Sequence, residues 1–243
     1  MSLMQGISAK IRKNPKRVIF AEGEDENMLK AAIEFNKARL GKPILIGSEE
    51  RIKEQLKKIG LDENFKIQIV NSKDKSRREK YKKYLYKKLQ RDGLLERDVD
   101  RLIRNDRVAW GSSMIACKDA DAMVTGNIRH YAASVEKLRK CVDPREGETI
   151  CGMTIIVSKG KTILVADTNV QDFPSAERLV NTSISCVRVA RLFGFEPKVA
   201  FLSHSTFGKP VSRNTKHVRD AIEIKKKKKV NFDFDGEMQP DVA

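Results

Sequence analysis

Aromatic residues make up only 6% of this 243-residue chain, and histidine occurs three times and cysteine four times. No apolar run comes near membrane length. The longest apolar stretches, Thr162–Ala166 and Val199–Leu202, fall far short of the ~20 residues a spanning helix needs. The opening "MSLMQGISAKIRKNPKR" is basic but has no apolar core and no small-residue cleavage site, so it is not a secretory signal. Met1 and Met4, so close together, read as an added leader on a native start, which would make the chain an excised piece. Cys117, Cys141, Cys151 and Cys186 form no C-x-x-C pair and have no histidine at a zinc-like offset. Free thiols in a reducing compartment follow, and with them a cytoplasmic location and no metal site.

Acidic residues are in the minority: 33 against 49 lysines and arginines, a net charge of +16. Such an excess suits nucleic acid, because basic side chains release phosphate counterions. The scarcity of aromatics removes the stacking platform, however, and no reading motif is present. The basic stretch 73–93 is interspersed with acids and has tyrosines and leucines at helical spacing, and Lys225–Lys229 follows an amphipathic segment. Both read as solvated helix faces, and nucleic acid is not the expected partner.

What is present is alternation. "KRVIFAEG" (16–23) reads as a strand, and 25–41 as a helix stopped by Gly41. "KPILIGS" is a second strand, 48–60 a helix capped by Ser48, and "FKIQIV" (65–70) a third strand. Helices then run to about Cys117, and "DADAMVTG" (119–126) is a fourth strand. Strands separated by helices of this length make βαβ units and a largely parallel sheet. Two apolar runs joined by Lys159–Gly160 predict a hairpin, followed by a helix over 174–194, a strand at 197–208, a helix over 213–225 and a final strand in "VNFDFDG". The ending "DFDGEMQPDVA" leaves such a unit unfinished, so that truncation or another chain would have to complete it.

Familiar catalytic loops are missing. "KGKT" (159–162) would need a glycine at Ile155 to be a phosphate loop, and no G-x-G-x-x-G occurs. Ser203–His204 lacks the glycines of a nucleophile elbow, and adjacent side chains on a strand point to opposite faces. Instead, three strand ends carry polar clusters: Thr125, Asn127 and Arg129; Asp167 and Thr168; and Ser203, His204 and Ser205. Ligands of open α/β sheets bind beyond the carboxyl ends of strands. These groups suit a phosphate or carbonyl ligand, with Arg129 as anion holder; the alternatives are helix caps at Asp167 and Ser203 and a surface ion pair at Arg129.

At these residues the chain resembles a known family. "VADTNVQDFPSAERL", "FGFEPKVAFLSHSTFG" and "FDGEMQPDVA" are similar to the phosphate acetyl/butyryl transferases, and "KRVIFAEGEDENMLKAA" with "GKPILIGSEERI" matches their opening in order. Within the family the chain looks closest to the transacetylase-like C-terminal domain of large bacterial malic enzymes. The resemblance implies an α/β fold of two doubly wound α/β/α subdomains with a cleft between them, of the isocitrate/isopropylmalate dehydrogenase kind. Residues 1–130 would form the first subdomain, incomplete through C-terminal truncation, and 131–243 the second, with its hairpin.

Active members move an acetyl group between coenzyme A and phosphate. This chain lacks their C-terminal Ser-Arg pair and following aspartate, and Glu136 stands where they carry a phosphate-binding arginine. The resemblance therefore implies no catalytic residue here, but an acyl-CoA/phosphate cleft lined by the three clusters; the alternative it leaves open is an active phosphate acetyltransferase. Acetyl-CoA or a related acyl-CoA would be sensed, and subunits held together in a homo-oligomer. NADP or NAD and a divalent metal would serve the parent enzyme, which converts malate to pyruvate, and not this segment.

Overall fold

The computed structural model describes residues 3–60, 67–168, 170, 173–210, 215–228 and 230–243. The chain divides into two units, Met1–Asp143 and Pro144–Ala243. The boundary expected at 130/131 falls at the start of α7 (Tyr131–Cys141), which packs on α6 (Arg107–Ala116) within the first unit.

In the first unit β1 (Lys16–Phe20), β2 (Gly41–Ile46), β3 (Gln68–Val70) and β4 (Ala122–Val124) form one parallel sheet in the order β3-β2-β1-β4. The period of two along a strand sends alternate residues to opposite faces. Phe20 and Leu45 pack against α2 (Glu26–Lys37) and α3 (Glu49–Lys58) through Leu29, Ile33, Ile52 and Leu56. Ile19, Ile44 and Ile46 pack on the other face with Tyr81 and Leu85 of α4 (Lys75–Leu89), Val99 and Ile103 of α5 (Glu96–Asn105), and Trp110 of α6. Trp110 and Tyr81 meet edge to face at 5.0 Å, both fully buried, and the Tyr81 hydroxyl donates to Asp119 at 2.8 Å. An unpredicted helix, α1 (Leu3–Lys13), precedes β1.

Gly41 does not stop α2. That helix ends at Lys37, Arg39 takes the left-handed conformation (φ 54°), and Gly41 opens β2. A Cβ at Gly41 would lie 2.6 Å from the Lys16 carbonyl and 2.8 Å from the Phe35 ring, so close packing of β1 on β2 requires glycine there. Part of the expected strand at 65–70 lies outside the described residues, as does the expected helix start at 213–214. Ser48 does precede α3, but its hydroxyl donates to Glu50 and accepts no helix N–H.

The basic stretch behaves as a solvated helix face. On α4, Arg78 pairs with Asp100, Lys80 with Asp119, Lys82 with Glu96 and Lys88 with Asp143, so acids from neighbouring elements neutralise it.

In the second unit β5 (Met153–Ser158) and β6 (Lys161–Ala166) form the expected antiparallel hairpin. Lys159 and Gly160 both have positive φ at its turn, as tight hairpins demand. β7 (Val199–Leu202) pairs in parallel with β8 (Phe234–Met238). α8 (Ala176–Leu192) and α9 (Lys216–Lys227) pack together, with Val180, Phe201, Val218 and Ile222 in a shared core. Among the described residues these strands form two separate pairs, where a continuous doubly wound sheet was expected.

Lys225 departs from the expected solvated run. Helical periodicity places it on the buried face of α9 with Val218, Ala221 and Ile222, and it is 0% exposed. Its Nζ lies 4.8, 3.9 and 4.4 Å from the ring centroids of Phe201, Phe232 and Phe234, with no hydrogen-bond partner among the described residues. Burial lowers its pKa to about 7, and the rings offset part of the cost of the charge. Because the folded pKa lies below the ordinary value of 10.5, the penalty is complete below pH 7 and fades as the pH rises toward 10.5. Lys225→Met should raise the unfolding free energy at pH 7 by roughly 1–3 kcal/mol, with a gap that narrows at pH 10. Denaturant melts at the two pH values check this; equal gaps would contradict a charged, buried Lys225.

Candidate functional site

In the first unit β1 and β4 are neighbours whose chains leave toward opposite sides of the sheet, the place where open α/β sheets hold ligands. Glu22 stands just beyond β1 and is 0% exposed. Its Oε1 accepts the Thr125 hydroxyl at 2.8 Å and the Gly126 N–H at 3.2 Å. Its Oε2 is buried without a hydrogen-bond partner among the described residues. Asp25 caps α2 by accepting the Met28 N–H at 3.0 Å, and the same oxygen accepts the Asn127 amide at 2.6 Å. Thr125 and Asn127 both follow β4, and their donors are directed at carboxylates of the protein itself.

Arg129 donates to Asp106 at 2.8 Å, in a pair with the guanidinium 29% and the carboxylate 8% exposed. Asp106 also binds Lys137 and, as the cap of α6, accepts the Ala109 N–H at 2.9 Å. Burial pushes the Asp106 carboxyl up, but Lys137, the Ala109 N–H and Arg129 outweigh it and hold it below the usual carboxylate range. Glu136, on the exposed side of α7, pairs with Lys140 at 2.7 Å.

In the second unit Asp167 follows β6 in the left-handed conformation (φ 61°) and donates its N–H to the Gly152 carbonyl at 2.8 Å. Its carboxylate oxygens are buried without hydrogen-bond partners among the described residues, and burial pushes its pKa up against the opposing charge of Arg178. The Thr168 hydroxyl lies 3.3 Å from that of Thr154. A Cβ at Gly152 would sit 1.9 Å from the Thr168 carbonyl oxygen, so this crossing demands glycine. Asp167 does not cap α8; Ser175 does.

Beyond β7, the Ser203 hydroxyl donates to the Ser205 carbonyl and accepts the Ser205 N–H, both at 2.9 Å. Buried Ser205 donates its hydroxyl to Glu237, which is 1% exposed. The same Glu237 oxygen accepts the Gly208 N–H and the Arg219 guanidinium, each at 3.1 Å. Burial raises the Glu237 carboxyl, yet Ser205 and Arg219 more than compensate and its pKa is lowered. His204 is exposed and contributes its carbonyl to Gln239. Neither serine hydroxyl bonds to His204, so these three residues form no nucleophile–base pair. Ser203 is not a cap either, since α9 begins at Lys216 with Thr215 at its cap position.

Sequence reasoning missed Glu22, Asp106, Glu237 and Arg219. The available sign was a carboxylate set against apolar strand residues, in "VIFAEG" and "DGEM", where an acid has to be paired to be buried.

A family model for phosphate acetyl/butaryl transferase matches residues 2–243. An NADP-dependent malic enzyme from Rhizobium meliloti is 42% identical over 243 residues, covering 100% of this chain and 32% of that protein. A phosphate acetyltransferase from Clostridium acetobutylicum is 28% identical over 251 residues and is covered over 75% of its length. A phosphotransacetylase structure from Streptococcus pyogenes superposes with a TM-score of 0.88 at 25% identity, covering 98% of this chain and 74% of that one. The chain thus spans about a third of the malic enzymes it resembles.

Because Asp106 holds two cations, Asp106→Ala should leave Arg129 and Lys137 without their carboxylate and cost about 3 kcal/mol at pH 7. The lowered Asp106 pKa means this contribution is present above the ordinary carboxylate range and is lost as the pH falls through the folded value. Denaturant melts at pH 7 and pH 3 should show the wild-type advantage shrinking; an unchanged advantage would contradict the ion-pair account.

Proposed function

Because the chain belongs to the phosphate acetyl/butaryl transferase family, we propose that it is a transacetylase-like regulatory domain of a malic enzyme. It binds acetyl-CoA or a related acyl-CoA and does not turn it over. Malate decarboxylation with NADP or NAD and a divalent metal belongs to the rest of such a protein. The observation that carries the absence of turnover is internal neutralisation. Arg129 and Lys137 bind Asp106, Thr125 binds Glu22, and Asn127 binds Asp25. Acetyl transfer needs uncommitted donors for the oxyanion that forms at the attacked carbonyl and for the departing phosphate. The carboxylates already at these donors repel it. Neutral carbonyl and hydroxyl groups, such as those along a pantetheine arm, meet no such repulsion. The stronger likeness to malic enzymes along the whole chain supports the same reading.

Homo-oligomer formation is proposed through the β5–β6 hairpin. Ile156 and Ile163 are cross-strand partners exposed by 45% and 56%, and an isolated two-stranded hairpin is marginal in water. A second copy presenting the same surface would cover them. A cytoplasmic location fits four cysteines that remain free thiols. Among the described residues, no helix is long and apolar enough to cross a membrane.

Calorimetric titration of acetyl-CoA at moderate salt should show saturable binding, weakened about tenfold or more in Ser203→Ala. Absence of binding, or an affinity indifferent to that change, would overturn the sensor reading. By light scattering the chain should have a mass that is a multiple of 27.6 kDa. Ile156→Lys combined with Ile163→Lys should shift it toward the monomer, and an unchanged mass would place the interface elsewhere.

A further inference from the structure

In the second unit the segment just ahead of β5 is fastened to α8. The Arg188 guanidinium donates to Glu148 at 2.7 Å, and that of Arg178 donates to the Ile150 carbonyl at 3.2 Å. Beside these, the Cys186 thiol of α8 donates a hydrogen bond to the Cys151 sulfur. The next residue, Gly152, is pressed against the end of β6. A Cβ there would lie 1.9 Å from the Thr168 carbonyl oxygen, and the Gly152 carbonyl accepts the Asp167 N–H at 2.8 Å. Cys151 is thus fixed between α8 and the chain that leaves β6. It is partly exposed, whereas Cys186 behind it is buried.

Two thiols in contact, one open to solvent and one behind it, have the arrangement of an attacking and a resolving cysteine. We propose that Cys151 and Cys186 form a reversible redox pair, closed to a disulfide by hydrogen peroxide and opened again by a dithiol. The Cys151 thiolate attacks one peroxide oxygen. The S–O bond forms, the O–O bond breaks, and the departing hydroxide leaves as water with the proton that Cys151 gave up. The Cys186 sulfur then attacks the sulfenic sulfur. The S–S bond forms, the S–O bond breaks, and the hydroxyl leaves as a second water with the Cys186 proton. Two electrons pass from the thiols to the peroxide. The loop so closed contains the whole β5–β6 hairpin, and the bond fixes the base of that hairpin to α8. The pair stands independently of the acyl-CoA reading.

The surroundings assign the order of the two steps and make the first one slow at neutral pH. Burial pushes the Cys151 thiol up and the carboxylates of Asp167 and Glu148 add to it, against the hydrogen bond from Cys186 and the charge of Arg178. Burial, with Cys151 and Asp167 close by, pushes Cys186 up to about 12. Cys151 is therefore the one that attacks, and its thiolate becomes more abundant as the pH rises. Asp167 opposes that thiolate with two carboxylate oxygens that have no hydrogen-bond partner among the described residues. Asp167→Asn removes the charge, and asparagine tolerates the left-handed conformation of this position.

The reduced full chain would be treated with one equivalent of hydrogen peroxide, quenched by alkylation and mapped by peptide mass spectrometry. A peptide pair joined through Cys151 and Cys186, lost on treatment with dithiothreitol, is the expected main product. Cys186→Ala should instead stop at a sulfenic acid on Cys151 that dimedone traps, and Cys151→Ala should yield neither species. In the wild-type chain, closure should quicken close to tenfold from pH 7 to pH 8, and at pH 7 Asp167→Asn should quicken it about threefold. Recovery of Cys151 and Cys186 unlinked, a main product joined through Cys117 or between two chains, or a closure rate that moves with neither pH nor Asp167→Asn would overturn the proposal.

Discussion

Asp106 is the point on which the first unit's polar architecture turns. A carboxylate that is nearly buried must be paired, and this one binds Arg129 from the loop after β4, Lys137 from α7 and the first turn of α6 at once. The loop carrying Thr125 and Asn127 is fixed at its other end by Glu22 and Asp25. The second unit repeats the device: Glu237 gathers Ser205, Gly208 and Arg219 around one oxygen. In each unit the strand-end loops owe their conformation to an internal anion.

That device has a chemical consequence. Donors of the kind that stabilise a carbonyl oxyanion and a departing phosphate are ordered around the protein's own carboxylates. On the proposed reading, rigidity would be retained while electrostatic complementarity to an anionic transition state is lost. Fold and function reside in different residues, so the family fold alone does not decide whether the chemistry is present.

The frame was legible because it is written in local periodicity. The apolar runs in "KRVIF" and "KPILI" and the Lys159–Gly160 turn all act within a few residues. The sites were legible only as positions. Thr125 meets Glu22 across 103 residues and Ser205 meets Glu237 across 32, distances that no local pattern spans. Arg129 looked like an anion holder because its partner, Asp106, lies far back in the chain, at the head of α6. Lys225 is the instructive miss. Composition grouped it with a solvated lysine run, whereas the spacing 218, 221, 222, 225 already placed it on the apolar face. Gly41 misled for a similar reason, because its role is a close approach between strands and not a local stop.

The most direct test of the central claim is phosphorus NMR of acetyl phosphate mixed with coenzyme A and a stoichiometric amount of this chain. The account predicts that acetyl phosphate decays at its protein-free rate. Accelerated loss of that resonance, matched by equal growth of inorganic phosphate and acetyl-CoA, would show that the internal carboxylates do not block transfer.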